Sequence, residues 1–186
     1  MRLYVTRHGE TDYNLSGKYC GCTEVALNET GVRQARDLAD RVKVMDIRLD
    51  AVVSSPMLRA RQTADIVCAS LNLRYLIYDQ FAERNLGVYE GLTKDEIKER
   101  YPYLWNRQCT RQPDDAPDGG ETIRQACGRI DAGIALLRHD FAGRTILLIC
   151  HGFAARAVHR YCLGLTFDEM ASFALGNCEV MNYTLD

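Results

Sequence analysis

A chain of 186 residues with a formal net charge of −2 has the length of one ordinary domain, large enough to close a hydrophobic core without a metal or disulfide frame. Residues 1–186 are read as that one domain. Acids and bases are intermixed, which argues against a nucleic-acid or anionic-membrane surface, and no apolar run approaches the roughly 18 residues of a membrane span. The eight cysteines, at 20, 22, 68, 109, 127, 150, 162 and 178, fall mostly inside apolar periods. With no room for an export signal before the first strand, they are expected as free thiols in a cytoplasmic protein.

The first element is the extended run Leu3-Tyr4-Val5-Thr6, which stops at Arg7-His8-Gly9. Gly9 lets the backbone turn sharply, so the end of a buried strand presents one guanidinium and one imidazole. Tyr19 to Leu27 carries no strong period and reads as a loop over that end. Asn28 is a good N-cap for a helix running to about Met45, with Val32, Ala35, Leu38, Ala39 and Val42 on its apolar face. Leu49 to Ser54 predicts a strand, and Pro56 suits the first position of a helix from about Met57 to Ser70. Arg59 falls in that helix's first turn, where the dipole disfavours a cation by a few tenths to about one kcal/mol at an exposed site. A third strand is expected over Leu73 to Tyr78.

The stretch from Phe81 to Gly91 is irregular and contains Glu83. Thr93-Lys94-Asp95-Glu96 is a capping box opening a short helix that Pro102 interrupts. Arg107 to Gly120, with Pro113, Pro117 and two final glycines, is expected to be the least ordered part of the chain. Ile123, Ala126, Cys127, Ile130, Ile134 and Leu137 mark a helix from Glu121 to about Asp140. Arg144 to Cys150 is the most strand-like stretch and runs straight into His151-Gly152. Helices over Phe153 to Leu163 and Phe167 to Ala174, then a strand over Glu179 to Leu185, complete the chain. This alternation predicts an α/β fold, a three-layer αβα sandwich around a mainly parallel sheet.

If neighbouring strands carry the two His-Gly turns, both imidazoles emerge at the same sheet edge, where open α/β sheets bind ligands. Arg7 and Arg59 supply planar forks suited to a phosphate oxyanion. Glu83 is a candidate proton donor. The same arginines oppose a divalent cation held by His8, Glu83 and His151, so no metal and no cofactor is expected. Cys20-Gly21-Cys22 invites a redox or metal reading but lacks a second pair.

Thr6-Arg7-His8-Gly9-Glu10-Thr11 with Asn14, then the run Ser54 to Ala64 around Arg59, then Glu83 with Gly87-Val88-Tyr89-Glu90-Gly91, then Gly119-Gly120-Glu121-Thr122, then His151-Gly152 resemble, in order, the signature of the histidine phosphatase superfamily, also called phosphoglycerate mutase-like. The resemblance implies that fold, and it implies His8 as a nucleophile that becomes a phosphohistidine. It implies Arg7, Asn14, Arg59, His151 and Gly152 around the phosphoryl oxygens, and Glu83 as donor to the leaving oxygen and then activator of water. Two residues depart from the pattern. Phe153 follows His151-Gly152 where relatives often have a small residue, and Glu24 stands in Gly21 to Leu27 where Asp is common, which puts local loop geometry in question.

The Gly87 to Gly91 run is similar to the G-x-W-E-G of the phosphatase branch, and the chain ends directly after its last strand, where mutases carry a tail. The expected activity is therefore that of a phosphomonoesterase (EC 3.1.3 class) resembling α-ribazole phosphatase, acting on a small phosphorylated metabolite. A phosphoglycerate mutase-type isomerase and a non-catalytic phosphate-binding regulatory module are the alternatives. Joint retention of a nucleophile and a proton donor argues against the latter, and the lack of G-x-G-x-x-G after the first strand argues against a dinucleotide site. No nucleic-acid or membrane partner is expected, and no feature specifies an oligomeric state.

Overall fold

In the computed structural model, which describes residues 1–45 and 47–185, the sheet is organised around β4 (Thr145–Cys150), whose central residues are buried on both faces. β1 (Arg2–Arg7) lies on one side of it and β2 (Ala51–Ser54) on the other, both parallel to it. β3 (Tyr75–Ile77) extends the sheet beyond β2, and β5 (Val180–Thr184) closes the opposite edge antiparallel to β1, giving the order β3-β2-β4-β1-β5. A mainly parallel sheet needs cover on both faces, hence the near-continuous Ile and Leu of β4.

One face is covered by α2 (Glu29–Val44) and α3 (Leu58–Leu71), which bury Ala35, Leu38, Ala39, Ala60, Ala64 and Val67 against Val52, Leu147 and Ile149. The other face is covered by α6 (Ile123–Asp140) and α7 (Gly152–Leu163), with Ile130, Ile134, Ala154 and Val158 against Leu3, Val5, Ile146 and Leu148. A smaller cluster of Tyr89, Ile97, Leu104 and Cys109 forms under α4 (Lys94–Arg100) and α5 (Pro102–Asn106). The predicted three-layer αβα architecture is present. Among the described residues no helix is long and apolar enough to cross a membrane.

Several boundaries differ from the sequence-based expectations for local reasons. Pro56 is not the first helical residue. The chain turns through Ser55-Pro56, Ser55 Oγ accepts the Met57 N–H at 3.3 Å, and α3 begins at Leu58. Pro102 opens a new helix instead of merely ending one. A one-turn helix, α1 (Asp12–Leu15), follows β1, set by a Thr11–Asn14 capping box. The helix expected to reach Ala174 is a single turn, α8 (Phe167–Met170), because Ser172 Oγ takes the Glu169 carbonyl and Arg156 Nε the Phe173 carbonyl.

Arg107 to Gly120 is irregular but not loose. Arg84, only 3% exposed, donates to the carbonyls of Thr110, Asp115 and Glu121, and Arg107 and Arg124 pair with Asp115 and Asp114. A charged guanidinium so buried is stable only with its donors matched, so this segment is fastened from inside.

Candidate active site

The register pairs Arg7 with Cys150 on adjacent parallel strands, so the next residue on each is a histidine at the same carboxyl edge of the sheet. Their ring centroids lie 5.1 Å apart. The His8 N–H donates to Cys150 O at 3.0 Å, and Gly9 N–H to Thr63 Oγ1 at 3.1 Å. Gly9 is needed there for space: a Cβ would stand 2.4 Å from Gly31 O at the start of α2.

The hydrogen bonds of His8 fix its tautomer. Nδ1 faces Gly9 O at 2.7 Å and must carry the proton, while Arg59 Nε–H donates to Nε2 at 3.2 Å, which must hold the lone pair. Burial first, then the positive charges of Arg59 and Arg7, holds His8 well below the usual imidazole value near 6.5. The neutral ring thus presents a nucleophilic nitrogen to the cleft.

His151 is completely buried, and its tautomer is set by Ser55, whose Oγ lies 2.6 Å from Nε2. That oxygen also accepts the Met57 N–H, and among the described residues no acceptor other than His151 Nε2 bonds the Ser55 hydroxyl, so the arrangement that uses its proton has Oγ–H donating to Nε2. Nδ1 then carries the ring proton, and it is a buried donor with no partner in the protein. Burial first, then Arg59, His8 and Arg7, lowers the His151 pKa well below its ordinary value.

Arg59 sits in the first turn of α3 and is 1% exposed. Its two terminal nitrogens donate to Gly21 O at 2.8 Å and Thr23 O at 2.9 Å. Glu24, the departure from the family pattern, accepts the Leu58 N–H at 2.7 Å. It therefore caps α3 from outside and sets a negative charge at the helix end that carries Arg59.

Arg7 reaches Leu175 O with one terminal nitrogen at 3.4 Å, and its buried Nε has no protein partner. Asn14 Oδ1 accepts the Thr11 N–H at 3.1 Å. Glu83 holds both oxygens against backbone donors, Oε1 accepting from Arg84 N–H at 2.9 Å and Oε2 from Phe153 N–H at 3.1 Å. Gly152 lies between Arg7 and Glu83, a Cβ there falling 3.8 Å from Arg7 Nε and 4.0 Å from Glu83 Oε2.

Arg7, His8, Asn14, Arg59 and Glu83 line one cavity of about 780 Å³, with the His151 ring beside that of His8. The Phe153 ring also borders it, 5.5 Å from the Arg84 guanidinium. Of the residues singled out in the sequence, Arg7, His8, Asn14, Arg59 and Glu83 line the cavity, and His151 and Gly152 lie beside them without lining it. The thiols of Cys20 and Cys22 donate to Thr23 O and Glu83 O, and both cysteines are free.

Residues that sequence reasoning missed are mostly supports. Ser55 was visible only as part of a turn. Arg129 holds the carbonyls of Gln80, Ala82 and Glu83 while pairing with Glu121 at 2.8 Å, and its position eight residues after Glu121 was the available clue. Asn177, which donates to His8 O at 2.7 Å, gives no local signal at all.

The fold and site define an α/β protein with a neutral, tautomer-fixed imidazole inside an arginine-walled, anion-receptive pocket. The chain belongs to the histidine phosphatase superfamily (branch 1), whose family model matches residues 3–186. Among similar proteins, a Bacillus subtilis (strain 168) protein described as uncharacterized phosphatase PhoE is 36% identical over 145 residues, 78% of this chain and 68% of that one. A mycobacterial glucosyl-3-phosphoglycerate phosphatase in complex with VO3 matches with a TM-score of 0.86 and 26% identity over 97% of this chain and 90% of that one. An alpha-ribazole phosphatase from Shigella flexneri has the same fold, with a TM-score of 0.91 over 100% of this chain and 91% of that one at 24% identity.

Proposed function

We propose that this chain hydrolyses a small phosphomonoester through a phosphohistidine on His8. The observation that carries the reading is the His8 Nε2 lone pair, fixed by Gly9 O on the far side of the ring and facing a cavity that also contains Arg7, Arg59 and Glu83.

An incoming phosphoryl group replaces His8 Nε2 as acceptor of the Arg59 Nε–H, which frees the lone pair. Nε2 attacks phosphorus in line, and the bond from phosphorus to the leaving oxygen breaks. Glu83, entering as the carboxylic acid, gives that oxygen its proton, so an alcohol departs. Arg7, Arg59, the Asn14 amide and His151 Nδ1–H stabilise charge on the equatorial oxygens, the main task of a phosphoryl-transfer site. Positive charge on the phosphorylated ring is relieved through Nδ1–H to Gly9 O. Glu83, now a carboxylate, takes a proton from a water that attacks phosphorus; the phosphorus–nitrogen bond breaks, releasing inorganic phosphate, neutral His8 and reprotonated Glu83.

Among the described residues, the rest of the cavity wall includes Lys18, Lys94, Arg111 and Arg156 and one further acid, Asp168, a predominance of cations that suits an anionic metabolite.

The test is a panel of phosphorylated metabolites and an aryl phosphate, scored for phosphate release and for isomerisation. Wild-type protein is expected to release phosphate and, under rapid quench, to yield an acid-labile, base-stable phosphoenzyme. His8→Ala is expected to lose both. Near-normal release by His8→Ala overturns the mechanism, and isomerisation without release turns the reading to a mutase.

A further inference from the structure

We infer that Glu90 is a positioning residue for Arg59: its carboxylate braces the loop whose carbonyls aim that guanidinium at His8. The inference rests on the proposed phosphoryl-transfer role of the pocket and adds a residue to it.

Glu90 lies outside the pocket lining and touches none of its proposed reacting groups. Its Oε1 accepts the Cys22 N–H at 2.8 Å and the Leu86 N–H at 3.0 Å, and its Oε2 accepts the Thr23 hydroxyl at 2.6 Å. One carboxylate therefore ties the loop at residues 21–23 to the turn that follows Glu83. The fit is tight. Gly21 has φ of +50°, and a Cβ there would stand 2.0 Å from Glu90 Oε1. Gly21 is thus required both by its left-handed backbone and by the approach of Glu90.

The braced loop in turn holds Arg59. Gly21 O and Thr23 O accept from its two terminal nitrogens at 2.8 and 2.9 Å, and the Nε–H points at His8 Nε2. Among the described residues no carboxylate forms an ion pair with Arg59. Carbonyls orient the fork without cancelling its charge, so the full cation remains available to a phosphoryl group. An acid bonded directly to Arg59 would compete with the substrate. Set one link further out, Glu90 supplies rigidity without that competition. Charge-assisted acceptors for backbone N–H groups are stronger than neutral ones, which is why a carboxylate serves better here than an amide.

The experiment is a double-mutant cycle of Glu90→Ala and Arg59→Ala, with Glu90→Gln as the conservative variant. It reads kcat/KM for an aryl phosphate across pH, together with the affinity for inorganic phosphate. Glu90→Ala is expected to lose about 10- to 100-fold in kcat/KM in the wild-type background and less than about 3-fold in Arg59→Ala, the non-additivity of residues acting through one another. Glu90→Gln, which keeps one oxygen acceptor, is expected to lose less. The acidic limb of kcat/KM is expected to move to higher pH in Glu90→Ala, because a displaced Arg59 no longer lowers the His8 pKa. A purely structural role would lower Tm but leave that limb in place.

Equal losses from Glu90→Ala in both backgrounds, or an unmoved acidic limb, overturn the inference. Those outcomes leave the proposed function standing if wild type turns over and His8→Ala does not. If wild type hydrolyses nothing, the proposed function fails alone, and the same cycle on inorganic phosphate affinity still decides the role of Glu90: additive losses of affinity overturn it, coupled losses sustain it.

Discussion

Gly9 O takes the Nδ1 proton of His8, whereas the Ser55 hydroxyl is directed at Nε2 of His151, so two neighbouring imidazoles are prepared for opposite tasks. In the proposed mechanism one offers a lone pair and the other a donor. Because the donor role of His151 depends on a single hydroxyl, Ser55→Ala is expected to lower kcat/KM by about 10- to 100-fold, below the loss typical for an oxyanion donor removed outright. The imidazole nitrogen NMR shifts of His151 are expected to show the other tautomer; unchanged shifts with unchanged activity would refute the assignment. The pKa of His8 also sets a pH range. The proposed nucleophile His8, held well below 6.5 by burial and two arginines, remains unprotonated in mild acid, so the acidic limb of kcat/KM attributable to it should lie below 6.5. A His8 limb above that value, assigned by titrating the ring by NMR, would contradict the electrostatics.

At the scale of elements, α3 has a structural weakness at the end that carries Arg59. Met57 provides no side-chain cap and Arg59 puts a cation near the positive helix end. Glu24 answers both problems from the loop at residues 21–27. Glu24→Ala is expected to cost about 1 kcal/mol, the usual worth of a cap, which lowers Tm by about 2–4 °C in a chain of this size. Glu24→Gln, which retains an acceptor, should recover most of it. A Tm unchanged in Glu24→Ala would show that α3 needs no external cap. This also marks what the sequence could reveal. Periodicity located α2 and α6 because each buries one apolar stripe, and the strand-His-Gly pattern located both histidines. The Glu24 cap was illegible because its partner is 34 residues away, and the same holds for Ser55 with His151, 96 residues apart. Asn177 reaches His8 O across 169 residues. Local pattern shows what a segment prefers; it does not show which distant donor a side chain will meet.

The whole molecule encloses two imidazoles that are completely or almost completely buried and neutral, and this links its stability to pH. In the unfolded chain each histidine protonates near 6.5; in the folded chain both pKa values are pushed well below that. Below 6.5 the unfolded state therefore binds more protons than the folded state, and stability falls as pH falls. Two such groups give a slope of up to about 2.7 kcal/mol per pH unit. The carboxylates whose folded pKa is lowered, such as Glu121 from its ordinary 4.5, contribute only as pH approaches that lower range, so the interval between about 4.5 and 6.5 belongs mainly to histidine. His159, also lowered by burial but much less enclosed, adds a smaller share. Denaturant unfolding at a series of pH values should show stability declining through this interval, and the decline should become shallower in His151→Asn. A flat profile between 4.5 and 6.5 would mean that both imidazoles take up protons in the folded protein as readily as in the unfolded chain. Because the proposed mechanism depends on the same neutral rings, acid is expected to destabilise the fold and remove the proposed nucleophile by one protonation chemistry, with bound inorganic phosphate shifting the transition through its preference for the folded state.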